Sequence, residues 1–340
     1  MKRSELLVRI IIIVAIIGAV GTPIYFWLRT PLIHARVAEN GGWNPNLIQA
    51  QVGKPLHLSL TSDDVVHGFA IGQMNMQSVD VLPGKVTDVT LNFSKPGTYT
   101  FYCTRWCGIN HWRMRGTIEV TGETDSPTLT THPLYVTLGL DIDASHNAPV
   151  IPNDKPSAPL ARDLRSDPTI SGQQLATDVS ISQFVNADYY HAHSPYETWR
   201  QIRNDSSFNY MSDQQIWNLV AFIWQSNTTS ESLANGKQLY TQNCAACHGE
   251  NGAGNGVFAN QIEAENKLRM QGMLGITGTQ GPADFTNPKS MLGASPALLQ
   301  GKILRGGMGT GMPSWGPIFT EEQTWNLVAY LYSFQFEYQK

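Results

Sequence analysis

The pattern of apolar and polar positions changes character three times along the chain. From Ile10 to Leu28 the residues are almost all apolar and none is charged, with Lys2, Arg3 and Arg9 ahead and Tyr25-Phe26-Trp27 at the far end. Nineteen residues at the helical rise span roughly 28 Å, close to a bilayer's hydrocarbon thickness. That run predicts one transmembrane helix, with Pro23 tolerable near its end. Cations before it and aromatics after it place the N-terminus in the cytoplasm and everything after Arg29 outside. A cleaved signal peptide is the competing reading, but no small-x-small site follows Trp27, so the segment reads as a retained anchor. Between residues 35 and 121 the apolar positions alternate, as in Leu56-His57-Leu58-Ser59-Leu60 and Val86 to Phe93, and Pro83-Gly84 and Pro96-Gly97 punctuate them. Short alternating runs between such turns predict an antiparallel β-sandwich. From Thr121 to about Leu175 the periodicity fades into Pro, Ser, Asp and Thr, which predicts an irregular linker.

Beyond residue 176 the signals are helical, and they repeat. Ser194-Pro195 leads to Trp217-Asn218-Leu219-Val220-Ala221-Phe222, and Ser295-Pro296 leads to Trp325-Asn326-Leu327-Val328-Ala329-Tyr330. Each copy opens its last helix with a capping box, Ser212 to Gln215 and Thr320 to Gln323. The first copy lacks the stretch Gly311-Met312-Pro313-Ser314-Trp315, so it reads as packing retained without a cofactor. His191 and His193 lie in it and read as surface residues.

Composition narrows the chemistry. Of 340 residues, 41% are hydrophobic and 15% charged, enough for packed cores and against wholesale disorder. A net charge of -4 gives no footprint for nucleic acid. The four cysteines form two close pairs, Cys103 with Cys107 and Cys244 with Cys247, leaving none for a disulfide framework. Around the first pair, Cys103-Thr104-Arg105-Trp106-Cys107-Gly108-Ile109-Asn110-His111-Trp112-Arg113-Met114 sets two thiols, an imidazole and a thioether in one loop after a strand-like run. Soft sulfur with imidazole suits copper, and a thioether is unusual for zinc. His67 upstream is a further strong donor. Two cysteines, each able to bridge, point to two copper ions; a disulfide or a zinc loop is the plainer alternative.

At these residues the chain resembles the copper-A (CuA) cupredoxin domain of haem-copper oxidase subunit II. The resemblance rests on a histidine after Asp64-Val65 and on C-x-x-x-C-G-x-x-H-x-x-M. It implies a binuclear copper centre in which Cys103 and Cys107 bridge, His67 and His111 each bind one ion, and Met114 and the carbonyl of Arg105 complete the set. Arg105 departs from the family's usual Glu or Gln, which puts that residue's role at a nearby magnesium site in doubt. His57, Met74 and Met76 are assigned no role.

Cys244-Ala245-Ala246-Cys247-His248 follows an amphipathic helix through Gly236 to Tyr240, with Asn235 or Ser232 near its start. Two thiols three apart with an adjacent imidazole are the signature of covalent c-type haem attachment. Here the chain resembles class I cytochrome c between about 229 and 340. Met270, Met273, Met308 and Met312 could supply the sixth ligand; the Pro313 loop before the last helix favours Met312, with Met308 next. A thioredoxin-like dithiol or a zinc half-site is the plainer alternative.

The expected fold class is therefore multidomain. It comprises a transmembrane anchor (1–34), an all-β cupredoxin domain (35–122), a linker (123–175), a haemless cytochrome-like half repeat (176–228) and an all-α cytochrome c domain (229–340). The resemblance implies the electron-transfer subunit II of a terminal haem-copper oxidase, a proton-translocating oxidoreductase complex. The chain would take electrons from an external small cytochrome c or copper protein and pass them to the polytopic subunit I, where oxygen is reduced. It would sit single-pass in the cell membrane with its redox domains on the outer face. A CuA-containing nitric oxide reductase subunit and a free-standing anchored electron carrier are the alternatives.

Overall fold

The computed structural model describes residues 11–12, 31–74, 76–105, 107–108, 111–123, 132–158, 179–274, 281–307 and 311–338, with backbone only at 112, 179–180 and 268–274. The chain divides into two units, 1–126 and 127–340. The expected anchor lies almost wholly outside the described residues, among which no helix is long and apolar enough to cross a membrane.

Among the described residues, the first unit is a sandwich of nine strands: β1 (Leu32–Ala35), β2 (Trp43–Asn44), β3 (Leu47–Gln51), β4 (Leu56–Ser62), β5 (His67–Ile71), β6 (Val79–Val81), β7 (Thr87–Leu91), β8 (Gly97–Tyr102) and β9 (Arg115–Thr121). One sheet runs β2-β1-β4-β7 and the other β3-β9-β8-β5-β6. Alternation does what it predicts: Leu58 and Leu60 of β4, Ile48 of β3 and Ile118 of β9 all point into one core. The sheets are not antiparallel throughout, however. β1 pairs parallel with β4, and β3 parallel with β9. The chain crosses repeatedly between sheets, and a period of two is the same for either strand direction.

Strand β5 is the exception to alternation, since all five of its residues are buried. One face meets the core and the other lies under the loop that follows β8. Trp43 meets Phe69 and Phe101 edge to face beneath it, and those two rings lie tilted against each other, with centroids 5.5 to 5.8 Å apart. Gly116 makes this possible, because a Cβ there would lie 2.0 Å from the Phe101 ring.

The second unit is helical. Its main helices are α1 (Pro195–Asn204), α2 (Asp213–Ser226), α3 (Ser230–Asn243), α4 (Ala245–His248), α5 (Ala259–Leu274), α6 (Pro296–Arg305) and α7 (Glu321–Tyr332). The capping boxes at Ser212 and Thr320 form as read, each satisfying two end groups. Helix α3 starts earlier than expected, because Thr229 caps it with Ser232 in a box of its own. It crosses α7 at Gly236, where a Cβ would stand 2.0 Å from the Asn326 carbonyl.

Residues 132–158 carry little regular structure but are fixed to the helices. Tyr135 and Ile142 press against Gly301 of α6, the His146 carbonyl crosses Gly293, and the Ala148 N–H donates to the Lys289 carbonyl at 2.7 Å. Further on, Ser157 and Glu337 form a bridge beside the C-terminus. Period-based reading cannot detect such a wrap, because its hold comes from single backbone bonds and missing side chains. His191 and His193 correct the expectation of free surface residues. His191 stacks on Trp325 with centroids 4.0 Å apart, and His193 stacks on Tyr189 at 4.0 Å while its Nδ1 meets the Tyr189 carbonyl.

Candidate functional site

The loop from β8 to β9 folds back on itself, with the Cys103 N–H donating to the Met114 carbonyl at 3.0 Å. That bond ties the two ends of the ligand-bearing stretch together. Cys103 Sγ lies 3.8 Å from Cys107 Sγ, 3.7 Å from His67 Nδ1 and 3.2 Å from the Arg105 carbonyl. Cys107 Sγ lies 3.5 Å from His111 Nδ1 and 3.1 Å from Met114 Sδ. The other four predicted donors, His67, the Arg105 carbonyl, His111 and Met114, thus converge on the two sulfurs. A disulfide needs a separation of about 2.05 Å, so at 3.8 Å both cysteines remain free.

Charge in this cluster is set by its hydrogen bonds. The Cys103 thiol is pushed well down, mainly by its hydrogen bond with Cys107; burial opposes the shift, and His111 and His67 assist it. Cys107 is pushed up by the same partnership and by burial. The pair therefore gives up one proton far more readily than two, because a second thiolate beside the first would be both buried and repelled.

His67 is held from behind. Its Nε2–H donates to Asp64 Oδ1 at 2.7 Å, which leaves Nδ1 as the nitrogen facing Cys103. Asp64 also accepts from the backbone N–H groups of Val37 at 2.7 Å and Val65 at 2.6 Å. Burial acts to raise the Asp64 carboxyl, but these bonds outweigh it and hold the group below the ordinary range. For His67 too, burial works against the charged form, yet its bonds to Cys103 and Asp64 raise it overall. On the outer side of the loop, Arg105 Nε and its terminal nitrogen meet both carboxylate oxygens of Asp80 at 2.8 and 3.1 Å. The residue at 105 thus offers its carbonyl inward and its guanidinium to β6.

In the helical unit, Cys244, Cys247, His248 and Met312 line one cleft of about 480 Å³ together with Ile262, Pro282, Ala283, Pro313 and Trp315. Helix α4 and the residue that caps it carry both thiols and the imidazole. Gly256 lets the chain pass close behind it, since a Cβ there would lie 2.4 Å from the Ala246 carbonyl. His248 Nδ1–H donates to the Ala283 carbonyl at 3.0 Å and its ring stacks on Phe285 at 4.6 Å. Burial lowers its basicity, so the imidazole is neutral with Nε2 free to coordinate. Burial pushes the Cys244 thiol up to about 12 and the Cys247 thiol up to about 11. Thiols that stay protonated near neutral pH do not behave as a reactive dithiol pair.

Residues 44–121 match the family described as cytochrome c oxidase subunit II, periplasmic domain, and residues 233–335 match the family described as cytochrome c. The chain joins an oxidase subunit II periplasmic domain to a cytochrome c domain. Among curated relatives, a cytochrome c oxidase subunit 2 of Thermus thermophilus is 42% identical over 79 residues, covering 23% of this chain and 58% of that one. A second subunit 2 from the same species is 42% identical over 79 residues and is covered over 46% of its length. An alternative cytochrome c oxidase subunit 2 of Bradyrhizobium diazoefficiens is 33% identical over 89 residues, 26% of this chain and 30% of that one. The chain thus spans about half the length of the two Thermus relatives.

The subunit II domain implies copper and the cytochrome c domain implies haem. The residues present fit both. Two thiols, two imidazole nitrogens, a thioether and a carbonyl form a soft and borderline donor set of the kind copper prefers, and His67 already carries the carboxylate partner that fixes a ligating tautomer. At the cleft, the Nδ1 bond of His248 frees the other nitrogen, and both thiols sit on the same wall.

Several features of this subunit II and cytochrome pair are not apparent from its sequence. Asp64 stands there only as part of the pattern ahead of His67, yet three donors converge on it. Its signal is the spacing to His67, since a carboxylate three residues ahead can turn back onto the ring. Trp43 donates its Nε1–H to the Met114 carbonyl at 3.2 Å, and no local motif announces it. Met308 and Trp106 lie outside the described residues, and only the backbone is described for Trp112, Met270 and Met273.

Asp64→Ala leaves three donors short of a partner, and each such loss costs about 1–3 kcal/mol. Loss of a carboxylate behind a ligating histidine lowers metal affinity about 10–100-fold. Urea unfolding and competition against a copper chelator read the two effects separately. Unchanged copper affinity in this variant would show that Asp64 only fastens the Val37 turn.

Proposed function

We propose that this chain is the electron-input subunit II of a terminal haem-copper oxidase, with Cys103 and Cys107 bridging two copper ions and Cys244 and Cys247 fixing a c-type haem. The observation that carries this reading is the convergence of four donors on two free thiols in a subunit II domain, in one chain with a thiol-lined cleft of the cytochrome c family. Bound there, haem and copper supply one-electron stations between an external small redox protein and the oxygen-reducing haems of a polytopic partner.

The protein's own residues hold these stations rigid. His67 and His111 each face one sulfur, and Asp64 keeps the first ring from turning. The Met114 and Arg105 donors approach from either end of the loop, and the backbone bond between Cys103 and Met114 sets their separation. Little can move when the charge on the centre changes, which keeps reorganisation small. In the helical unit the Ala283 carbonyl orients His248, and His248 and Met312 would supply the side-chain ligands to the haem iron. The apolar run at 10–28 anchors the chain in the cell membrane with both redox domains on the outer face. Residues 176–228, bound into the helical unit through Trp224 and Tyr332, serve as a docking platform without a haem of their own.

Isolation of the full chain from its native membrane in mild detergent tests the reading. A haem-bearing polytopic subunit is expected to co-purify at one to one, with two copper ions and one covalent haem on this chain. A chain recovered alone, or one holding zinc or a cystine at residues 103 and 107, would defeat it.

A further inference from the structure

The haem cleft has an apolar body and a charged rim, and the charges are unevenly occupied. Haem carries two carboxylates on one edge. A carboxylate drawn into a partly dry cleft without a partner costs several kcal/mol, on the order of 2–7 for a polar group and more for a charge. Among the described residues lining the cleft, the cations are Lys302 and Arg305, one turn apart on α6. Positions three apart share a helix face.

These two cations stand in different states. Arg305 is engaged: its two terminal nitrogens each meet an oxygen of Asp143 at 2.6 Å, and its Nε–H donates to the Gly306 carbonyl at 3.3 Å. Asp143 belongs to the wrap at 132–158 and itself lines the rim. The Lys302 ammonium has no hydrogen bond or ion pair among the described residues, although its side chain is half-buried. Burial disfavours its ammonium form and the neighbouring Arg305 adds to this, while Asp143 and Asp141 work the other way at longer range. Among the described lining residues, two cations and one carboxylate leave a single positive charge, matched to one further anion.

We propose that Lys302 pairs with a carboxylate of the haem held in this cleft, and that the Asp143–Arg305 pair fixes the rim against which that edge of the macrocycle lies. The proposal rests on the reading of the cleft as a haem site. It gives the segment upstream of the half repeat a task at the cofactor: Asp143 neutralises Arg305 and thereby assigns the carboxylate to Lys302.

The test uses the full chain with its haem, comparing wild type with Lys302→Met, Lys302→Arg and Asp143→Asn. Lys302→Met is expected to leave covalent haem content and the axial-ligand absorption unchanged. It should shift the haem carboxylate bending bands in resonance Raman spectra and lower the haem midpoint potential, since a cation that disfavours the ferric state is gone. Lys302→Arg should recover most of both shifts. Asp143→Asn releases Arg305 and should raise the potential. If Lys302→Met does not load haem, Asp143→Asn decides: carboxylate bands shifted there, as the freed Arg305 competes with Lys302 for the haem carboxylate, support the pairing, and unmoved bands overturn it. Haem present with unmoved bands and potential in Lys302→Met overturns the proposal alone. A wild-type chain without covalent haem overturns the reading of the cleft as well.

Discussion

Cys107→Ser is expected to abolish the shared-thiolate absorption of the copper-loaded chain while the β-sandwich stays folded. Cys107 is the right member of the pair to change. Cys103 is buried in the sandwich core at 3% exposure, whereas Cys107 only packs against it from the loop. Exchanging sulfur for oxygen at a half-buried loop position costs about 1 kcal/mol in stability, an ordinary value for a single substitution. Its effect on the metal is far larger. Cys107 Sγ is the atom that His111 and Met114 face, so its loss strips these two donors of a common centre and leaves Cys103 with His67 and the Arg105 carbonyl. A single thiolate with imidazole suits one copper ion. The copper-to-protein ratio should fall from two to one or fewer, and paramagnetic resonance should lose any signature of an electron shared over two nuclei. Denaturation followed by circular dichroism should show the same stability to within about 1 kcal/mol. Two ions retained with an unchanged spectrum would remove Cys107 from the bridge and with it the binuclear reading.

What can be read ahead of the structure divides along a physical line. The ligand loop and the haem-attachment stretch are legible because their chemistry depends on short spacings: four residues from Cys103 to Cys107, three from Cys244 to Cys247. The sandwich is legible in outline because burial of one face imposes alternation, as in β4. Strand direction is not, since alternation is blind to it, and β1 with β4 runs parallel. What supports the sites from behind is hidden for a different reason. Asp64, Trp43 and Ala283 act through contacts of 2.7, 3.2 and 3.0 Å that only the folded chain creates. Trp43 lies 71 residues from Met114. The wrap at 132–158 is legible only as the absence of a pattern, although Asp143 meets Arg305 across 162 residues.

Gly236→Val is expected to cost the helical unit several kcal/mol and to reduce haem attachment sharply. Helices α3 and α7 cross at Gly236, and the first atom of any side chain there would stand 2.0 Å from the Asn326 carbonyl oxygen and 2.8 Å from Tyr330 Cβ. Both obstacles belong to the facing helix, and the nearer is backbone, which cannot swing aside as a side-chain tip can. Relief requires the helices to part. That separation would loosen Leu239 and Tyr240 on one side and Leu327 and Val328 on the other, all buried. Overpacking of this kind costs about 1–3 kcal/mol where neighbours can yield, and the backbone contact places Gly236 at or above the upper end. Tyr240 carries the effect to the cofactor wall, because its hydroxyl donates to the Gly249 carbonyl at 2.7 Å, directly after His248. If α3 shifts, the turn that ends the attachment helix shifts with it. Urea unfolding of the full chain followed at the haem band, with pyridine haemochrome measurement of covalent haem, reads both consequences, and Gly236→Ala grades them because it adds the Cβ alone. An unfolding midpoint and haem content equal to wild type in the valine variant would mean that the two helices do not cross in contact here, and that the helical unit is held together by the α6 and α2 packing instead.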